Sequence, residues 1–214
     1  MIKRTICLCF SVIFLLISAF SANAYADVPE DLWYSEAVSF VTAQGWMEGT
    51  GADRFDPEAT VTRGMAVTVL WRMAGSPEEE FQYAIYADLP EELWYAKAAS
   101  WAYPEIMVGY PIAQEDPPVP TGLFLTFEGE QTLTREQLAV VLYRYHNLEQ
   151  EDAAPAEALT ELFPDGSLVS PWAKDAVNWC IEQGLLQGDG QKLNPQGQVT
   201  RAQLALVLMR YSQL

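Results

Sequence analysis

Three arginines occupy a turn where a helix ordinarily disfavours a cation. Arg63, Arg135 and Arg201 each follow a threonine, in Thr62-Arg63-Gly64-Met65, Thr134-Arg135-Glu136-Gln137 and Thr200-Arg201-Ala202-Gln203. A capping threonine accepts a hydrogen bond from the third helical amide, and a glutamine at that third position reaches back to the cap. Two copies therefore predict a full capping box, and the first, with Met65, half of one. The helix dipole already points its positive end at this turn, so the cap does not account for the charge beside it. A guanidinium next to free helix-start amides suits a carboxylate or another anion. The structural alternative is an ion pair with an acid of the same repeat or with a neighbouring glutamate.

The elements that would position these arginines repeat with them. Behind each start, apolar residues fall at helical spacing: Met65, Val69, Leu70 and Met73; Leu138, Val141, Leu142 and Tyr145; Leu204, Val207, Leu208 and Tyr211. Upstream, Tyr25-Ala-Asp27 through Trp33 is echoed by Tyr86-Ala-Asp88 through Trp94, and more loosely by Phe163-Pro-Asp165 through Trp172. Each tryptophan heads a second helical stripe, Trp33, Ala37, Val38 and Val41, or Trp94, Ala98 and Trp101, or Trp172, Ala176, Val177, Cys180 and Ile181. On that pattern the tryptophans read as core, and the aspartates as turn or helix caps. Gly45 and Gly184 follow the stripes as helix stops. The pattern predicts an all-α fold of three repeats with two main helices each, unfolding together.

From tryptophan to arginine is 30 positions in the first repeat, 41 in the second and 29 in the third, so the middle repeat carries an insertion near residues 110–128. Its prolines deny a helix, and Leu123 to Phe127 reads as a short strand or an apolar loop. The repeats span 25–75, 86–148 and 161–214, joined by acidic linkers. Residues 1–24 read as an export signal: Lys3-Arg4, an uncharged run from Thr5 to Phe20, then cleavage-type residues, with scission expected after Ala24 or Ala26. No later segment reads as a membrane span.

The signal carries two of the 12 basic residues and none of the 29 acidic ones, so cleavage moves the net charge from −17 to −19. Such a chain repels nucleic acid and anionic membranes, and an anionic partner must be met by locally placed arginines. Cleavage also removes Cys7 and Cys9, leaving Cys180 as a lone thiol, and stability must come from the core.

The unit of aromatic-x-Asp, Trp-x-x-x-Ala, Gly, and then Phe55-Asp-Pro57 or Leu193-Asn-Pro195 before Val-Thr-Arg, resembles the S-layer homology (SLH) domain. The middle repeat departs at Phe127-Glu-Gly129, and the acid of the family's Thr-Arg-Ala-Glu signature is Met65, Gln137 and Gln203 here. The resemblance implies three tandem repeats in a pseudo-threefold helical bundle, with grooves between adjacent repeats. It further implies non-covalent attachment at the cell wall or surface, each groove holding a terminal, often pyruvylated, sugar of a secondary cell-wall polysaccharide. Carried over by position, Arg63, Arg135 and Arg201 match the signature arginine, Asp27, Asp88 and Asp165 the early acid, and Trp33, Trp94 and Trp172 the early aromatic. A pyruvate ketal supplies the carboxylate that the arginines suit.

Two other functions compete with this one. An exported protein–protein scaffold would use the apolar insertion, Leu123 to Phe127, against another envelope protein. A glycan hydrolase would need two carboxylates facing the sugar, yet the acids here concentrate in linkers, repeat starts and exposed faces, and no region is left over for a catalytic domain. His146 lacks companions for a metal, and Gly49 to Asp53 and Gly188 to Gln191 lack the acids of a calcium loop, so no cofactor is expected. No covalent sorting signal is recognised.

Overall fold

A computed structural model describes residues 25–78, 86–111, 125–149, 159–188 and 191–214. Residues 1–24, read above as an export signal, residues 112–124 of the insertion, the centres of both linkers and residues 189–190 of the Gly188–Gln191 turn lie outside that set. Among the described residues there are six α-helices: α1 (Ser35–Ala43), α2 (Arg63–Met73), α3 (Ala96–Ala102), α4 (Arg135–Glu149), α5 (Lys174–Glu182) and α6 (Arg201–Tyr211). The fold is all-α, with one short antiparallel pair, β1 (Tyr110–Pro111) and β2 (Leu125–Thr126). That pair belongs to the insertion, but its apolar end turns inward. Phe127 is fully buried, which removes it from any partner-facing surface.

The signature helices begin where their caps dictate. Thr200 and Gln203 form the complete capping box, and Thr134 and Gln137 exchange the same two bonds. Thr62 receives only the Met65 amide. Gly45 and Gly184 stop α1 and α5 at φ values of 71° and 68°, a left-handed conformation that a side chain would strain.

The tryptophans correct an expectation. Trp33, Trp94 and Trp172 are 58%, 59% and 60% exposed, not core. The helices start two residues after each of them, at Ser35, Ala96 and Lys174, so helical periodicity does not carry the indole inward. In the first two repeats the adjacent Tyr34 and Tyr95 take the core position, edge-on to the indoles at 5.1 and 5.0 Å.

The repeats close into a ring. Helix α2 packs on α3, α4 on α5, and α6 returns to α1, so each signature helix lies against the first helix of the next repeat. At the centre Val61 donates its amide to Val199 (2.8 Å), Val199 to Leu133 (3.0 Å) and Leu133 to Val61 (2.8 Å), a closed triangle of backbone bonds among buried residues. Local bridges between Thr60 and Thr200, Thr62 and Thr132, and Thr134 and Gln198 surround it. Buried backbone polar groups must be paired, and here each repeat satisfies its neighbour rather than itself.

Candidate functional site

The three arginines reach across the ring seams. Arg63 donates through Nε to the Phe127 carbonyl (2.8 Å) and through Nη2 to that of Val108 (3.0 Å). Arg201 repeats this on the first repeat, to Phe55 (2.8 Å) and Glu48 (2.6 Å), and Arg135 on the third, to Leu193 (2.8 Å). Arg63 and Arg201 are only 5% and 6% exposed. Their guanidinium carbons lie 5.1 Å from the Phe127 ring centre and 4.4 Å from that of Phe55, where a ring face favours a cation. Burial lowers the affinity of both for protons, yet arginine stays cationic.

This wiring replaces two expectations. The helix-start amides are already taken: Arg63 and Gly64 donate to Gln131 and Gly129, Arg135 and Glu136 to Gly197 and Pro195, and Arg201 and Ala202 to Ala59 and Pro57. The ion-pair alternative does not hold for the two buried arginines either. Among the described residues the ion pairs join Arg54 to Asp27 and Asp56, and Arg72 to Glu48, and neither Arg63 nor Arg201 takes part. Carbonyl dipoles and ring faces touch them, while Glu128 and Asp88 act on Arg63, and Asp56 and Asp27 on Arg201, from beyond ion-pair distance.

The early aspartates hold the turns that receive these arginines. Asp27 accepts from the Phe55 and Asp56 amides, Asp88 from Phe127 and Glu128, and Asp165 from Leu193 and Asn194, all at 2.6–2.8 Å. The carbonyls of those same residues, Phe55, Phe127 and Leu193, accept the arginine Nε. Each seam is thus an aspartate, a clamped peptide and an arginine from the preceding repeat. The clamps span 28 to 40 positions, so they are neither helix caps nor local turn caps.

A pH dependence follows for the third seam. The Leu193 amide foremost holds the Asp165 carboxyl below its usual value, with Asn194 and Lys192 adding to it. A carboxylate with a depressed folded-state pKa stabilises above its unfolded value, and that contribution is lost as pH falls through the folded one. Asp165→Asn should therefore melt lower than wild type at pH 7. The gap should narrow as pH falls from about 5 to about 3, spanning the unfolded carboxyl value. Thermal melts of both proteins across that window check this, and a constant gap would refute the clamp's role.

Two grooves open beside these seams. One, of about 360 Å³, is walled by the Leu185–Gly188 loop and by Gln203, Leu206 and Arg210, with Arg135 from the second repeat and Trp33 from the first. The other, of about 240 Å³, is walled by the Trp46–Thr50 loop and by Met65, Thr68 and Arg72, with Arg201 from the third repeat and Trp94 from the second. Each groove takes its walls from one repeat, an arginine from the preceding one and an exposed tryptophan from the following one. Arg135 thus shares a groove with Trp33 and Arg201 with Trp94, from different repeats, while Arg63, Trp172 and the three aspartates line neither groove. The groove of the third repeat gathers Arg135, Lys192 and Arg210, with no acid among its described lining residues. In the other, Arg72 meets Glu48 at 3.4 Å.

Sequence reasoning missed Arg72 and Arg210, and the signal was available. An arginine recurs nine positions after each signature arginine, at Arg72, Arg144 and Arg210. All three donate through Nη1 to the carbonyl that follows the first helix of the repeat, at Trp46, Ile106 and Leu185, at 3.4–3.5 Å.

The fold is a ring of helical repeats in which two inter-repeat grooves each bring together an arginine and a tryptophan from different repeats. The family model of the S-layer homology domain matches the chain at residues 24–66 and 162–205. The chain is similar to the S-layer protein sap of Bacillus anthracis (24% identity, 87% of this chain and 21% of that protein). It is also similar to the surface-layer 125 kDa protein of Lysinibacillus sphaericus (27%, 82% and 14%) and to an endoglucanase of Bacillus sp. strain KSM-635 (29%, 88% and 18%). The chain spans about a fifth or less of the length of these relatives. The family model and the S-layer relatives point to a protein of the cell surface or cell wall. Among the described residues no helix is long and apolar enough to cross a membrane.

Proposed function

We propose that the chain is a non-catalytic wall-binding module, exported and held non-covalently, whose grooves take acidic, pyruvate-bearing ends of secondary cell-wall polysaccharide. On this reading the middle unit, which shares the seam wiring of its neighbours, is a third SLH repeat. The observation that carries the proposal is the pairing, in each groove, of an exposed indole with an arginine from another repeat, in a chain of strongly negative charge. An indole offers a sugar ring a flat apolar face, and a guanidinium offers a carboxylate two parallel donors. The described lining supplies one acid in one groove and none in the other, whereas glycoside hydrolysis requires two facing carboxylates. Of the stretch from which the protein–protein scaffold was read, Phe127 is buried and Leu125 half-buried, and Leu123 and Phe124 lie outside the described residues.

Purified cell walls provide the test. The protein should sediment with intact walls, fail to sediment after chemical removal of the polysaccharide, and be released by free pyruvylated sugar. Because the protein's own field opposes an anionic glycan, moderate salt should preserve or strengthen binding. The polymer should be recovered without new reducing ends. Equal sedimentation with stripped walls would refute the polysaccharide as ligand, and new reducing ends would refute the non-catalytic reading.

A further inference from the structure

The rotation relating the two grooves defines a third position, built on Arg63, α4 and Trp172. Position by position, Tyr110 stands where Thr50 stands: each follows a glycine, Gly109 or Gly49, that abuts the first aromatic of its repeat, Tyr86 or Tyr25. Likewise Gln131 stands where Ala59 and Gly197 stand, since all three give their carbonyl to the backbone amide of a signature arginine. At both positions the middle repeat has exchanged a small side chain for a long one, and the two long ones meet. The Tyr110 hydroxyl donates to Gln131 Oε1 at 2.8 Å. The Tyr110 ring lies 4.8 Å from the Arg63 guanidinium carbon, and Nη1 reaches its hydroxyl at 3.4 Å. Arg201 and Arg135 line the two grooves above, whereas Arg63, as buried as Arg201 (5% and 6% exposed), has a phenol laid against its guanidinium.

We infer that Tyr110 and Gln131 latch the middle groove shut, so that the chain holds two acidic saccharide ends and Tyr110 determines that number. The inference rests on the groove reading above. An aromatic face and a hydroxyl already satisfy the guanidinium, and a carboxylate would have to displace both. Removing the latch should expose Arg63 between α4 and Trp172, recreating the arrangement of the other two grooves.

The test uses the mature protein and a synthetic monosaccharide bearing a 4,6-pyruvate ketal, by calorimetric titration and by oxidative footprinting of the tryptophans. Wild type should bind two saccharides, with Trp33 and Trp94 protected and Trp172 equally reactive with and without sugar. The double variant Tyr110→Thr/Gln131→Ala, which installs the residues of the first repeat, should bind three and protect Trp172 as well. Wild type binding three, with Trp172 protected, would overturn the latch while leaving the groove reading intact. So would a folded double variant that still binds two. If wild type binds none and no tryptophan is protected, the groove reading itself fails. The wild-type footprint decides the matter even if the double variant does not fold.

Discussion

Arg201→Ala should melt as one cooperative transition about 6–12 °C below wild type. The substitution removes two charge-assisted bonds, to the carbonyls of Phe55 and Glu48, and strands those acceptors at the junction of the third repeat with the first. Two such bonds at about 1.5 kcal/mol each give a loss of about 3 kcal/mol. For a chain of this size each kcal/mol moves the midpoint by about 2–4 °C. Arg54→Ala is the control: its side chain is 64% exposed, and it pairs with the half-buried carboxylates Asp27 and Asp56 from the outside. Its loss should shift the midpoint by less than about 4 °C, because exposed pairs contribute about 1 kcal/mol or less. Differential scanning calorimetry separates the two. If Arg201→Ala melts with Arg54→Ala, the seam bonds do not stabilise the ring.

The same burial means that wall binding lost on removing Arg63 or Arg201 would mix a folding defect with a missing contact. The decisive binding variants are at the groove rims. Trp33→Ala/Lys192→Gln should weaken wall binding by roughly tenfold or more, with the melting midpoint held within about 2 °C. Both side chains are exposed and both belong to the groove of the third repeat. A charge-assisted contact to a ligand carboxylate contributes about 1.5–3 kcal/mol, which is roughly a 10- to 150-fold change in affinity. Trp94→Ala tests the companion groove in the same way. Quantitative sedimentation with purified walls reads the effect. A double variant that binds as wild type does would remove the groove of the third repeat from the function.

Most of the architecture was legible because its causes are local. The capping boxes at Thr134 and Thr200, the half box at Thr62 and the stops at Gly45 and Gly184 depend on residues within one turn of each other. The apolar stripes of α2, α4 and α6 depend on helical period alone, and the recurrence of the unit revealed the repeats. An arginine nine residues past each signature arginine was equally legible, but its role was not, because its partner is a backbone carbonyl that has no residue type to mark it.

Only the tertiary structure decided where the arginines, aspartates and tryptophans act. The acceptors of Arg201 lie 146 and 153 positions away and are main-chain oxygens, so neither spacing nor composition points to them. The aspartates looked like caps because a short acid near a turn usually is one, yet they bind amides 28 to 40 positions on. The tryptophans looked like core because they begin an apolar stripe. Each sits two residues ahead of its α-helix, Trp172 in a 3-10 turn, and points outward; ring closure then places Trp33 and Trp94 over grooves belonging to other repeats. Helical period and capping chemistry are properties of short stretches of chain. Which repeat completes which groove is a property of the ring, set when Val61, Leu133 and Val199 pair their backbones at its centre.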